Sequence, residues 1–154
     1  MNILIVEDEA HTAALLQSII EEDSDFIVLD KLESIAETVP YLSKHQQNVD
    51  LLFFDIQLAD GKSFEIFKHI DVDVPIIFCT AYDEYTLQAI KNNGIDYLLK
   101  PFKEAEIHKA LQKYKRLRDR LHPPNPAPIQ FRPSGVPQFQ KSFLTQKREK
   151  TVIK

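Results

Sequence analysis

Short apolar runs alternating with stretches of helical spacing constrain this chain more than any other feature. Ile3-Leu4-Ile5-Val6 is continuously aliphatic, as expected of a strand covered on both faces in a parallel sheet. After it Ala13, Leu16 and Ile20, with Leu15 and Ile19, recur at helical intervals until the acidic stretch Glu21 to Asp25. Phe26 to Leu32 predicts a second strand, less uniformly apolar and so nearer an edge, and Ile35 to His45 a second helix despite Pro40. Leu51-Leu52-Phe53-Phe54 is the clearest central strand and runs straight into Asp55. Beyond the turn signal Asp60-Gly61, the spacing of Phe64, Ile66, Phe67 and Ile70 predicts a third helix. Pro75 to Cys79 reads as a fourth strand, Tyr85 to Asn92 as a short helix closed by Gly94, and Asp96 to Leu99 as a fifth strand. The last helix runs from Glu104 to about Leu121, with Ile107, Leu111, Tyr114, Leu117 and Leu121 on one face. This βα alternation predicts an α/β fold, a doubly wound, open parallel sheet of five strands.

Six of the nine prolines lie between Pro123 and Pro137, which favours extended chain over a packed core. The expected organisation is therefore one domain over 1–121, a Pro-rich linker over 122–137, and the start of a second domain over 138–154. Charge divides along the same line: residues 1–100 carry 6 Lys+Arg against 19 Asp+Glu, and residues 101–154 carry 13 against 4. The acidic part argues against a nucleic-acid surface on the main domain, while the basic part reads as a nucleic-acid-facing piece or a solvated helix and linker. No apolar run approaches membrane-spanning length, and Met1 to Val6 meets acidic residues at once, without the pattern of a signal peptide. A cytoplasmic location is expected. Cys79 is the only cysteine, which excludes an internal disulfide or multi-cysteine zinc site and reads as a buried filler.

Ligands of open parallel sheets bind outside the carboxyl ends of the strands. Those ends carry Glu7 and Asp8 after the first strand, Asp55 after the third, Thr80 after the fourth and Lys100 after the fifth. Three carboxylates brought to one rim repel each other unless a cation joins them, and an all-oxygen site with room for water suits Mg²⁺. A central carboxylate can then act as a nucleophile toward phosphorus and form an aspartyl phosphate, with Lys100 offsetting the transferred charge and Thr80 offering its hydroxyl. Each residue alone has an ordinary explanation: Asp8 as a helix cap, Thr80 as a turn residue, Lys100 as a solvated charge. Asp55 is harder to dismiss, because an acid directly after a buried strand must find a partner or face water.

Together these segments resemble the receiver domain of two-component response regulators. Val6-Glu7-Asp8-Glu9 resembles that family's acidic pair, Phe54-Asp55-Ile56-Gln57-Leu58-Ala59-Asp60-Gly61 its phosphoacceptor segment, Thr80-Ala81 its switch hydroxyl, and Tyr97-Leu98-Leu99-Lys100-Pro101-Phe102 its Lys-Pro segment. The resemblance implies a flavodoxin-like, three-layer fold with strand order 2-1-3-4-5. It implies Asp55 as phosphoacceptor for a sensor histidine kinase, Mg²⁺ held by Glu7, Asp8, Asp55 and the Gln57 backbone carbonyl, and a cis Lys100–Pro101 peptide. It also implies Thr80 and Tyr97 as switch residues, with Gln57 and Tyr82 tuning dephosphorylation. The chain would catalyse only its own phosphorylation and dephosphorylation. More narrowly, Asp55 to Phe67, Thr80 to Tyr85 and Asp96 to Phe102 are similar to the LytTR class, which implies a β-rich DNA-binding output and transcriptional control. Residues 138–154 would then begin such a domain, truncated here, so DNA is expected as a partner only through the part largely missing. Glu7 departs from the aspartate common there; its longer arm implies ligation through water.

Two other readings share these residues. A haloacid-dehalogenase-like phosphatase uses a similar aspartate, threonine, lysine and Mg²⁺, but needs a second acid where Gln57 stands. A docking module that works without phosphorylation is the other. Homodimerisation through the face of the fourth helix, fifth strand and last helix is expected from the apolar stripe of the last helix.

Overall fold

The computed structural model describes residues 1–81, 89, 92–101 and 103–121. The chain forms two compact units, Met1–Arg116 and Leu117–Lys154. In the first lie β1 (Asn2–Val6), α1 (Ala10–Ile20), β2 (Ile27–Leu32), α2 (Ile35–His45), β3 (Leu51–Asp55), a small hairpin of β4 (Gln57–Leu58) and β5 (Gly61–Lys62), β6 (Ile76–Thr80) and β7 (Gly94–Leu99). The last helix, α3 (Glu104–Leu121), crosses the boundary, and its final turn is all that is described of the second unit. The short helix expected over Tyr85 to Asn92, the linker and residues 138–154 fall largely or wholly outside the described residues.

The main sheet is parallel in the order β2-β1-β3-β6-β7, which is 2-1-3-4-5 when its five strands are counted alone. Its central strands alternate between two cores, as the two-residue period of a strand requires. Ile3, Ile5, Phe53 and Ile77 pack with Leu16 of α1 and Leu111 of α3; Leu4, Val6, Phe54 and Phe78 pack with Leu42 of α2 and Phe64. Helices thus cover both faces of the sheet. Continuous aliphatic runs are the consequence, since neither set of side chains meets water.

β2 is an edge strand, with Ile27 and Leu29 exposed. The Glu21 carboxylate accepts the Val28 N–H at 3.0 Å and Asp30 accepts the Lys31 N–H at 2.8 Å. Pro40 sits inside α2 without ending it. The first turn of that helix is fully capped: Ser34 Oγ accepts from Glu37 N–H at 3.1 Å, and Asp60, from the hairpin, accepts from Ile35 and Ala36 N–H at 2.9 and 3.0 Å.

The third helix expected from Phe64, Ile66, Phe67 and Ile70 is corrected by the structure. That segment is the hairpin β4–β5 followed by a six-residue 3₁₀ helix, Ser63–Lys68. Ser63 N–H donates to the Ile56 carbonyl at 2.8 Å, holding the segment close under β3. Spacing of three places Phe64 and Phe67 on one side of a helix with three residues per turn as readily as of an α-helix.

Candidate functional site

The carboxyl ends of β1, β3, β6 and β7 bring the polar residues together. Glu7 continues β1, its N–H bonded to the Leu32 carbonyl at 2.8 Å, and is almost completely buried. Asp55 is the last residue of β3 and is 6% exposed. Thr80 ends β6, fully buried, and its carbonyl accepts the Lys100 N–H at 2.7 Å, which carries the β6–β7 ladder one residue past β7. One oxygen each of Glu7, Asp8 and Asp55 lies within 4.8 Å of the others.

Lys100 is the cation that joins two of them, Glu7 and Asp55. Its Nζ lies 2.7 Å from Glu7 Oε1 and 3.0 Å from Asp55 Oδ2, and only a fifth of its side chain is exposed. Burial works against the ammonium charge, but the Glu7 hydrogen bond and the Asp55 carboxylate outweigh it and hold its pKa above the usual lysine value. Burial, opposed by the Lys100 hydrogen bond and assisted by the Asp55 charge, pushes the Glu7 carboxyl from 4.5 up to about 7. Asp55 Oδ1 accepts the Gln57 N–H at 3.1 Å, and Glu7 Oε2 accepts the Glu9 N–H at 3.2 Å. Both carboxylates are therefore oriented by a backbone amide on one side and by the same lysine on the other.

The Lys100–Pro101 peptide is cis. Tyr97, half-buried in β7, pairs in register with Phe78 and packs on the core shared with α2. Tyr82 lies outside the described residues. Beside Lys100 a cleft of about 360 Å³ opens, lined by Glu9, Thr12, Leu15, Ala81, Lys100 and Pro101. Cys79, the register partner of Asp55, is buried in the core that also holds Ile5 and Phe53, and burial pushes its thiol far above the usual value.

Two supporting residues were not read from the sequence as part of the site. Glu9 accepts from Thr12 Oγ1 at 2.9 Å while its N–H orients Glu7. Asp60 reads as a turn residue, yet its carboxylate ties the loop after Asp55 to α2, and the two backbone hydrogen bonds, led by that from Ile35, hold it below the usual aspartate value. An acidic residue three places past a strand end and another before a turn glycine were the available signals.

Against known proteins, the profile of the response regulator receiver domain matches residues 3–112. The chain belongs to the receiver domain family. This is a signalling family and not a catalytic one. The chain is 34% identical over 119 residues to the sensory transduction protein LytT of Bacillus anthracis, a match covering 75% of this chain and 48% of that protein. It is 31% identical over 139 residues to the transcriptional regulatory protein BtsR of Escherichia coli, covering 86% and 57%. This receiver thus spans about half the length of the curated relatives it matches, and they are of the LytTR class expected from the sequence. The response regulatory domain of protein mrkE from Klebsiella pneumoniae superposes with a TM-score of 0.70 at 26% identity, over 78% of this chain and 99% of that one. The flavodoxin-like fold and its strand order follow. Among the described residues no helix is long and apolar enough to cross a membrane.

Proposed function

We propose that this receiver accepts a phosphoryl group on Asp55 from a sensor histidine kinase and so controls a DNA-binding output that regulates transcription. The observation that carries the reading is Lys100 Nζ held between Glu7 and Asp55 at 2.7 and 3.0 Å, beside three clustered carboxylates. The donor set is all oxygen and more negative than one lysine can balance, which fits a hard divalent cation. Glu7, Asp8, Asp55 and the Gln57 carbonyl would hold Mg²⁺, which when bound supplies neutralisation of the phosphoryl charge.

An Asp55 oxygen attacks the phosphorus of the kinase phosphohistidine. The new P–O bond forms as the P–N bond breaks, and the imidazole leaves with the bonding pair. Lys100 already touches Asp55 and so meets the transferred oxygens without travelling far. Asp55 then carries added charge and acceptor oxygens, toward which the Thr80 hydroxyl moves, and Tyr97 turns inward to fill the space left. Gln57 and Tyr82, two residues beyond Asp55 and Thr80, tune the removal of the phosphoryl group by water. The face of β7 and the last helix changes with the switch and forms a homodimer. The protein acts in the cytoplasm, acts on no substrate besides its own aspartate, and reaches DNA through a LytTR-type domain of which 138–154 is the start. The transcriptional relative BtsR supports that output.

Acetyl phosphate with Mg²⁺ tests the central claim. Wild type gains one phosphoryl group by intact mass and Asp55→Asn gains none. Multiple turnover of phosphate esters, or a mass gain unaffected by Asp55→Asn, overturns the reading.

A further inference from the structure

Glu22, from the turn after α1, and Glu104 and His108, one helical turn apart on α3, converge on a point that the phosphoacceptor chemistry does not use. His108 Nε2 lies 3.0 Å from Glu22 Oε1, and one candidate ligand atom from each of the three lies within 4.8 Å of the others. We propose that these residues form a second metal site, specific for a divalent transition-metal ion of the zinc class.

The ligand chemistry separates it from the Mg²⁺ cluster. An imidazole nitrogen with two carboxylates suits zinc and its neighbours, whereas hard cations prefer oxygen alone. Ligands at the ~2.0–2.1 Å typical of zinc stand ~3.3 Å apart around a tetrahedron. The His108–Glu22 separation is already close to that value. Glu22 and Glu104 are exposed, so rotation of two flexible side chains closes the remaining gap without moving backbone. Charge points the same way: one imidazole balances at most one of two carboxylates, and Glu104 makes no side-chain hydrogen bond or ion pair among the described residues. Three protein ligands leave a coordination position for water or a further group. An ion bound there fastens the first turn of α3 to the corner after α1, two turns before Lys115 of the same helix grips Asp23 and Asp25.

Zinc titration of the full chain by calorimetry, in millimolar Mg²⁺ to keep the acidic cluster occupied, tests the site. The expected result is one Zn²⁺ per chain, weakened more than about tenfold by His108→Gln, the scale on which even indirect supporting partners of a metal matter. Glu104→Gln, at an exposed position with no other described partner, weakens binding in the same direction and guards against a fold effect of the histidine change. Co²⁺ substitution gives visible absorption bands that both variants lose. No zinc binding in wild type, or zinc binding that both variants retain unchanged, overturns the proposal. Asp55→Asn must bind zinc as wild type does; loss of zinc there assigns the ion to the acidic cluster and also overturns it.

Discussion

Lys100 does at residue scale what no single carboxylate could do: it lets two buried acids coexist. Removing one partner of a buried ion pair leaves an uncompensated charge, so Lys100→Met is expected to destabilise the fold by about 3 kcal/mol near neutral pH, measured by urea unfolding. Asp55→Asn acts oppositely. It removes a charge that repels Glu7 while keeping the shape, and is expected to stabilise the chain by about 1 kcal/mol in EDTA, on the scale of one unit of carboxyl pKa. Mg²⁺ is expected to raise the unfolding temperature of wild type and to do so far less for Asp55→Asn, as linkage requires of an ion bound through that residue. The residue types at each strand end were legible, because a polar residue after an apolar run stands out. The pairing of Glu7 with Lys100 was not, since it joins β1 to β7 across the two intervening strands β3 and β6, a reach that no local pattern of residues records.

Among the elements, the loop after Asp55 and α2 are one device. Asp60→Ala removes acceptors from two first-turn amides and is expected to cost about 1–2 kcal/mol in urea unfolding. Gly61→Ala adds strain at a φ of 138°, with the new Cβ 3.3 Å from Ile35 Cδ1. A second device ties α3 to the corner before β2, where Lys115 lies 2.7 Å from Asp23 and 2.9 Å from Asp25. The Asp23 pKa lies below 3.8, chiefly through its hydrogen bond with Lys115, so its contribution is full above that pH and is lost as pH falls through the lowered value. Lys115→Met is therefore expected to lose about 1 kcal/mol at neutral pH, with the difference from wild type shrinking in strongly acid solution; a pH series of unfolding curves checks it. Strands and long helices were readable from periodicity. The 3₁₀ segment was not, because spacing of three fits two helix types and periodicity alone does not decide between them.

For the whole molecule, the stability of the receiver resides in the unit ending at Arg116, whose two cores lie on either side of one sheet. A chain ended at Leu121 is expected to unfold in one cooperative step and to keep acetyl phosphate labelling. Having 13 Lys+Arg against 22 Asp+Glu, it should bind an anion exchanger more tightly than the full chain. The class of fold was legible at this scale because a doubly wound sheet repeats its signature. The order of its strands, which the structure bears out, came from the family resemblance and not from local pattern, since β1 and β3 are neighbours through a crossover that no local pattern records. An open sheet also has rims where a further chain can add on. At the β2 rim, the amides of Val28 and Lys31 already donate to Glu21 and Asp30. Growth of ordered aggregates from that rim is thereby discouraged, although Ile27 and Leu29 lie bare beside it.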